Sequence, residues 1–418
     1  LPAFRPAAIV RAAQTFIAPL NGARMRPLVP VAEAQSRLFA MASRVPAETV
    51  PLRSAMGRWA AENILARRTQ PATDLSAMDG YAIRYADLPG PWTVIGESAA
   101  GRPFTGSVGA GQATRIFTGA AMPPGADTVL VQEEAARDGN RLMLNGEGPA
   151  FEGRNTRRKG LDFATGTRLI AAGDRLTPAR IAVAATGGHG ALSVGRRLRV
   201  AVAATGDELV PPGSTNDPVP LPESNGIMLA AMLADLPVDI VDLGILPDRL
   251  DTLRDAFAGV DADLLVTTGG ASVGDHDLVR PAIEAAGGTI DFWRIALRPG
   301  KPMMAGALGR MMLLGLPGNP VSAFVTAILF VRPVVAHMLG ARDPLPQTTH
   351  ALLGEDLPPN QSRTDYMRAE LREGRAYAST IQDSSMLLTL ARSSCLIIRD
   401  GDAPAARAGD SAEILVIA

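Results

Sequence analysis

The strongest constraint on this chain is a regular alternation of short apolar runs and helical patterns over residues 196–340. Runs at 198–204, 238–243, 264–268 and 311–314 have strand length. Between them, 226–236, 248–260 and 278–286 repeat apolar residues at helical spacing, and a long apolar helix is predicted over 321–338. Strands covered on both faces by intervening helices build a doubly wound, mostly parallel sheet. Ligands of such sheets bind beyond the carboxyl ends of the strands, so the strand-to-helix loops are where chemistry is expected.

A chain of 418 residues has room for several domains. Residues 1–27 read as an N-terminal extension. The first 24 are acid-free and carry Arg5, Arg11 and Arg24, while Met25 reads as a natural start; Arg11 interrupts the one apolar stretch, so no signal peptide is predicted. Ala34, Leu38, Met41 and Val45 recur at helical spacing, as do positions within 56–67 and 178–185. We therefore expect a discontinuous helical linker domain from 28–71 and 151–193. It is interrupted by a β module at 72–150, where apolar runs at 92–95, 115–118, 128–132 and 141–144 lie between Gly/Pro turns. The α/β domain spans 194–342. A C-terminal β-barrel domain at 343–418 is expected from runs at 366–371, 395–399 and 413–417, with turns at Asp400-Gly401 and Gly409-Asp410.

Charge and cysteine content remove whole classes of function. The formal net charge is −1, which leaves no overall basic footprint for nucleic acid or an anionic membrane. The single cysteine, Cys395, excludes an intrachain disulfide framework or a Cys-rich metal site, and a reducing cytoplasm is the expected setting. No uncharged apolar run reaches the length of a membrane span.

Three loops of the α/β domain stand out. Thr205-Gly206-Asp207-Glu208 places adjacent carboxylates past a buried strand, which alone also reads as a solvated turn. In 267–277, Gly269, Gly270 and Gly274 let backbone N–H groups approach an anion, and Asp275 and Asp277 follow as carboxylates or helix caps. Gly315-Leu-Pro317-Gly318-Asn319-Pro-Val-Ser322 is a rigid turn feeding a helix. A fourth element, Arg294-Ile-Ala-Leu-Arg298-Pro-Gly-Lys301, lies between strands. Of 41 Lys and Arg residues only Lys159 and Lys301 are lysine, so the strong bias to arginine has spared Lys301. A compact ammonium fits a tight oxyanion pocket that a planar guanidinium does not. In the β module, Asp79-Gly80 reads as a turn and Thr118-Gly119 as a strand end.

Gly270-Ala-Ser272-Val-Gly274 matches the nucleophile elbow of serine hydrolases. Of the histidines that follow, His276 is too near in sequence to serve as base, His337 falls within a helix and His350 opens another domain. A hydrolase using Ser272 is the weaker alternative.

Taken together, Ser76-Ala-Met-Asp-Gly-Tyr-Ala, Thr118-Gly-Ala-x-x-Pro-x-Gly-Ala-Asp, Thr205-Gly-Asp-Glu-Leu, Gly269-Gly-Ala-Ser-Val-Gly-Asp, Arg298-Pro-Gly-Lys-Pro and Leu316-Pro-Gly-Asn-Pro-Val-Ser resemble the MoeA family of molybdopterin molybdenumtransferases, related to the gephyrin E domain. The resemblance runs in order from Pro27 to the C-terminus. It implies insertion of molybdate into adenylylated molybdopterin with release of AMP, an α/β molybdopterin-binding domain, a homodimer joined through the linker domain, and Mg²⁺. It further implies contacts with the molybdopterin adenylyltransferase and with molybdoenzyme maturation proteins. By motif, it assigns catalytic roles to Asp79, Thr118, Glu208, Asp248, Asp277 and Lys301, with Glu208, Asp248 and Asp277 as metal ligands. It assigns substrate binding to Asp162, Gly269, Gly270, Ser272, Arg294, Arg298, Lys301, Pro317, Gly318, Asn319 and Ser322. Many members carry Lys where this chain has Arg294 and Arg298. An adenylyltransferase-type activity is the alternative within the same cofactor chemistry, although such chains carry Gly-Gly-Thr-Gly where this one has Gly269-Gly-Ala-Ser.

Overall fold

The computed structural model describes residues 28–214, 217–270 and 278–417. The N-terminal extension therefore lies outside the described residues, as do Ser272, Asp277 and their neighbours in 271–277.

Helix α1 (Val31–Met41) and strand β1 (Ala47–Pro51) open the chain. The β module follows as β2 (Gly80–Ile83), β3 (Trp92–Ser98), β4 (Gln112–Ile116), β5 (Thr128–Val131), β6 (Ala135–Asp138) and β7 (Arg141–Leu144), in one sheet of order β5-β2-β4-β3-β7-β6. Tyr81, Ile83, Trp92, Val94, Leu130 and Leu142 form its core. The chain then returns through helix α2 (Pro178–Thr186), where Thr177 accepts from Arg180 N–H and Pro178 occupies the first turn. Strand β8 (Ala191–Gly195) pairs antiparallel with β1, so the segments flanking the β module form one unit. Residues 56–67 correct the helical reading of that segment. Gly57 has φ +76°, and Ile64–Leu65 pairs with Arg168–Ile170 as short strands. The apolar spacing is that of extended backbone dipping Ala60, Ile64 and Ala66 into the core.

The α/β domain holds β9 (Leu198–Thr205), α3 (Asn225–Leu233), β10 (Val238–Leu246), α4 (Leu250–Gly259), β11 (Leu264–Thr268), α5 (Val279–Ala285), β12 (Thr289–Arg294), β13 (Pro302–Leu308), β14 (Met311–Leu316) and the helix α6 (Pro320–Met338). Sheet order is β10-β9-β11-β14-β13-β12. The first four strands are parallel, and β13 and β12 add an antiparallel edge. Alternate residues of β9 point to opposite faces: Val200 and Val202 pack with Leu229 and Leu233 of α3 and with α6, while Ala201 and Ala203 pack with Leu253 and Phe257 of α4 and with α5. The doubly wound pattern is thus written into a single strand. Helix α6 is apolar enough to cross a membrane, but 78% of its apolar window is buried in this core.

The C-terminal unit comprises β15 (Thr349–Leu353), β16 (Thr364–Arg372), β17 (Arg375–Ala378), helix α7 (Leu387–Arg392), β18 (Cys395–Arg399) and β19 (Ser411–Val416). The order β16-β17-β15-β19-β18, with β18 returning to pair β16, closes a five-stranded barrel. Strands β2, β12, β13, β15 and β17 escaped the sequence reading; β13, for one, reads Pro-Met-Met-Ala-Gly-Ala-Leu and has neither clear alternation nor β-branched residues.

Strand β2 shows how tightly the β module is built around its loops. A Cβ on Gly80 would sit 2.0 Å from Leu130 O. Gly80→Ala must therefore push β2 and β5 apart, at a cost of about 1 to 3 kcal/mol. Urea denaturation measures this, and an unchanged midpoint would show that the two strands separate freely.

Candidate active site

The parallel strands end in loops that glycines bring together. A Cβ on Gly269, after β11, would lie 2.6 Å from Thr205 O at the end of β9. Gly318, after β14, approaches Gly269 Cα, and Gly300 lies against Thr326 and Ser322 O in the first turns of α6. The loops carrying Glu208, Gly269 and Gly270, Pro317 to Ser322, and Lys301 thus share one end of the sheet, as the position of ligand sites in such sheets requires. Pro317 and Ser322 are buried, whereas Gly318 and Asn319 are exposed.

Acidic groups gather on one side. Asp248 N–H donates to Asp207 Oδ1 at 3.1 Å, and Gly206 N–H to Leu246 O at 3.4 Å, so the loops after β9 and β10 touch. Burial raises the pKa of Asp248 above its ordinary value, and the charges of Asp207 and Glu208 push in the same direction. On the other side stand Arg294 and Lys301. Both are part-exposed, and neither forms an ion pair with a described carboxylate. Arg298, the third cation expected to bind substrate, pairs with Asp365 of β16 through its guanidinium and reaches Asn360 Oδ1 at 3.4 Å.

The β module and the linker hold the remaining expected residues. Asp79 Oδ1 accepts from both Thr118 N–H (2.7 Å) and Thr118 Oγ1–H (2.8 Å), bonds that hold its carboxyl below the usual carboxylate range. Arg115 stacks over Tyr81 and Phe117 beside them. Asp162 is exposed on the segment that follows 156–157, which pairs with 75–76. The hydrogen bonds and ion pairs of the β module run within it and to these flanking segments.

Several neighbours lacked a sequence signal. Asp74 binds Lys159 N–H and Arg158, fixing the basic segment. Asn225 donates to Gly318 O at 2.7 Å, and its buried Oδ1 has no partner. Ser384, from the barrel, accepts from Asn319 Nδ2 and Val321 N–H. Each is remote in sequence from the loop it touches, so only the tertiary fold reveals it.

Glu208 and Asp248 are hard oxygen donors that repel one another, a set that a divalent cation neutralises; Mg²⁺ commonly takes one or two protein carboxylates and keeps its waters. Among the described residues no group of three or more metal-ligating side chains is assembled. The third expected ligand, Asp277, lies outside the described residues.

Comparisons with known proteins agree with this layout. Residues 29–188 match the MoeA N-terminal region (domains I and II), 201–337 a probable molybdopterin binding domain, and 350–417 the MoeA C-terminal region (domain IV). The chain is 34% identical to a molybdopterin molybdenumtransferase of Haemophilus influenzae over 377 residues, covering 88% of this chain and 93% of the relative. It is 32% identical to that of Bacillus subtilis over 410 residues, covering 94% and 95%. The crystal structure of a molybdopterin biosynthesis MoeA protein from Pyrococcus horikoshii superposes with a TM-score of 0.81 at 27% identity, over 94% of this chain and all of that one.

If like charge contributes to the raised pKa of Asp248, Asp207→Asn should lower it toward the ordinary carboxylate value. Carboxyl NMR titration reads this directly; no downward movement would leave burial as the sole cause.

Proposed function

Because the chain belongs to the MoeA family of molybdopterin molybdenumtransferases, we propose that it inserts molybdate into adenylylated molybdopterin and releases AMP in molybdenum cofactor biosynthesis. The observation that best supports this reading is the pair of cations, Arg294 and Lys301, that form no ion pair with a carboxylate among the described residues, at the end of the sheet where Gly269, Gly300 and Gly318 bring the loops together. Molybdate is a dianion and the adenylylated pterin carries phosphate charge, so both need cations and N–H donors. Lys301 supplies a compact ammonium with three donors, and Arg294 a second positive charge. Gly269, Gly270 and Gly318 keep the strand ends open so that an anion can reach main-chain N–H groups.

Opposite the cations, Glu208 and Asp248 would hold Mg²⁺, which when bound screens phosphate charge and polarises the phosphoryl group. Burial, together with the like charges of Asp207 and Glu208, holds the Asp248 carboxyl above its ordinary value. Asp79, held anionic by Thr118, is a fixed acceptor; with Thr118 it suits a hydroxyl or amino group of the substrate.

The β module reaches the rest of the chain through its flanking segments, so we propose that Asp79, Thr118 and Asp162 complete the cleft of a second subunit in a homodimer. Each dimer would then contain two composite sites.

Lys301→Ala removes one charge-assisted contact, worth about 1.5 to 3 kcal/mol, or roughly 10- to 100-fold in turnover or anion affinity, with little change in Tm. Molybdate-dependent AMP release from adenylylated molybdopterin measures it. Absence of such release from the unaltered protein would overturn the functional reading, and a large fall in Tm with normal kinetics would make Lys301 structural.

Mixing Asp79→Asn homodimers with Lys301→Ala homodimers under subunit exchange should restore up to about a quarter of full activity, since half of the dimers then hold one intact site. No recovery, once mass spectrometry has shown heterodimers, would place the whole site within one chain.

A further inference from the structure

The last residue of β12, Arg294, and the segment linking it to β13 together carry three cations, Arg294, Arg298 and Lys301, and their partners separate them into two kinds. Ile295 N–H donates to Lys301 O at 2.8 Å, closing the excursion into a compact loop. Its apolar residues Ile295 and Leu297 are fully buried. Gly300, at φ +109°, has room only for a hydrogen, since a Cβ would meet Thr326 Cγ2 at 2.7 Å. The loop is thus pressed onto α6, and Lys301 emerges from it with no ion-pair partner among the described residues.

Arg298 leaves the same loop toward the barrel. Leu297 and Arg298 pair in parallel with Thr364 and Asp365, Thr364 N–H donates to Ala296 O at 2.9 Å, and Arg363 reaches Leu297 O at 3.4 Å. The Arg298–Asp365 ion pair closes this seam, with Asp365 only 7% exposed. Asn360, which also touches Arg298, is itself held by the carbonyls of Arg363, Arg399 and Asp400. A carboxylate this buried needs its cation: taking the partner away leaves an uncompensated charge. The guanidinium is therefore tied to the barrel through Nη2.

We infer that Arg298 and Asp365 form a positioning strut: the ion pair between the loop and the barrel fixes the loop from which Lys301 reaches its anion. The inference deepens the functional reading and rests on it. One nitrogen, Arg298 Nη2, serves both Asp365 Oδ2 and Asn360 Oδ1. Small displacements of a catalytic group are costly, of the order of 100-fold for about 1 Å, so loosening the strut acts on turnover more than on substrate binding.

The test is a cycle of variants read by molybdate-dependent AMP release, with the unaltered protein as reference; its activity establishes the functional reading independently of the strut. Asp365→Asn keeps side-chain size and should lower kcat roughly 10- to 100-fold with little change in KM. In a Lys301→Ala background the same substitution should cost almost nothing, because the group it positions is gone. Thermal melts check that each variant folds. Should Asp365→Asn not fold, the double variant Arg298→Gln/Asp365→Asn, which removes both charges and leaves neither uncompensated, takes its place in the cycle with the same expectation. An Asp365→Asn enzyme with normal kcat, or equal losses from the substituted strut in both backgrounds, would overturn the strut.

Discussion

The site depends on how closely backbones approach one another at the carboxyl ends of β9, β11 and β14. Thr205 O, Gly269 and Gly318 lie so near each other that a methyl group on Gly269 would collide with the carbonyl of Thr205. Side chains there would splay the strand ends and fill the space where main-chain N–H groups face a ligand. Gly269 has φ +87° as well, a conformation that favours glycine. These constraints are independent, one of space and one of dihedral angle, and both select glycine at the same residue.

Much of the α/β domain was legible because its strands are buried on both faces, and a strand such as Met311–Leu316 then reads as an uninterrupted apolar run. The antiparallel edge formed by β12 and β13 was not. Gly306 in β13 is there because a Cβ would lie 2.1 Å from Thr289 O of the neighbouring strand, and a glycine chosen by a cross-strand contact looks in sequence like a turn. The helical reading of 56–67 failed for the converse reason: Ala60, Ile64 and Ala66 face the core from extended backbone, and their spacing imitates a helix.

Site residues divide along the same line. Lys301 stood out because arginine bias made a lysine conspicuous, and the glycine loops stood out by composition. What the sequence could not distinguish was a cation facing a ligand from one facing a carboxylate remote in the chain. Arg294 and Arg298 look alike in sequence, four residues apart beside the same loop. In the fold, one has no described ion pair, whereas the other is matched by Asp365 across a domain boundary. Asn225 and Ser384 went unnoticed because each acts on a loop about 65 or more residues away.

The barrel consequently does more than close the chain. It touches the site region twice, through Asp365 on the Lys301 loop and through Ser384 on the turn that begins α6. The segment bearing Ser384 is anchored in turn by Arg368, whose guanidinium is 1% exposed and donates to Gln382 Oε1 and to the carbonyls of Ile381 and Met386. Arg368 has no described ion-pair partner, and burial lowers its pKa; Asp383 opposes that shift only from a distance. A buried cation satisfied by carbonyls resists displacement of any of them, because each lost bond leaves a charged donor without its acceptor. The two contacts therefore differ in kind: the Lys301 loop is held across the domain boundary by the Arg298–Asp365 ion pair, the pairing of 297–298 with 364–365 and the bond from Thr364 N–H to Ala296 O, whereas the Ser384 segment is braced within its own domain. The position of the Lys301 loop is thereby tied to that of the barrel.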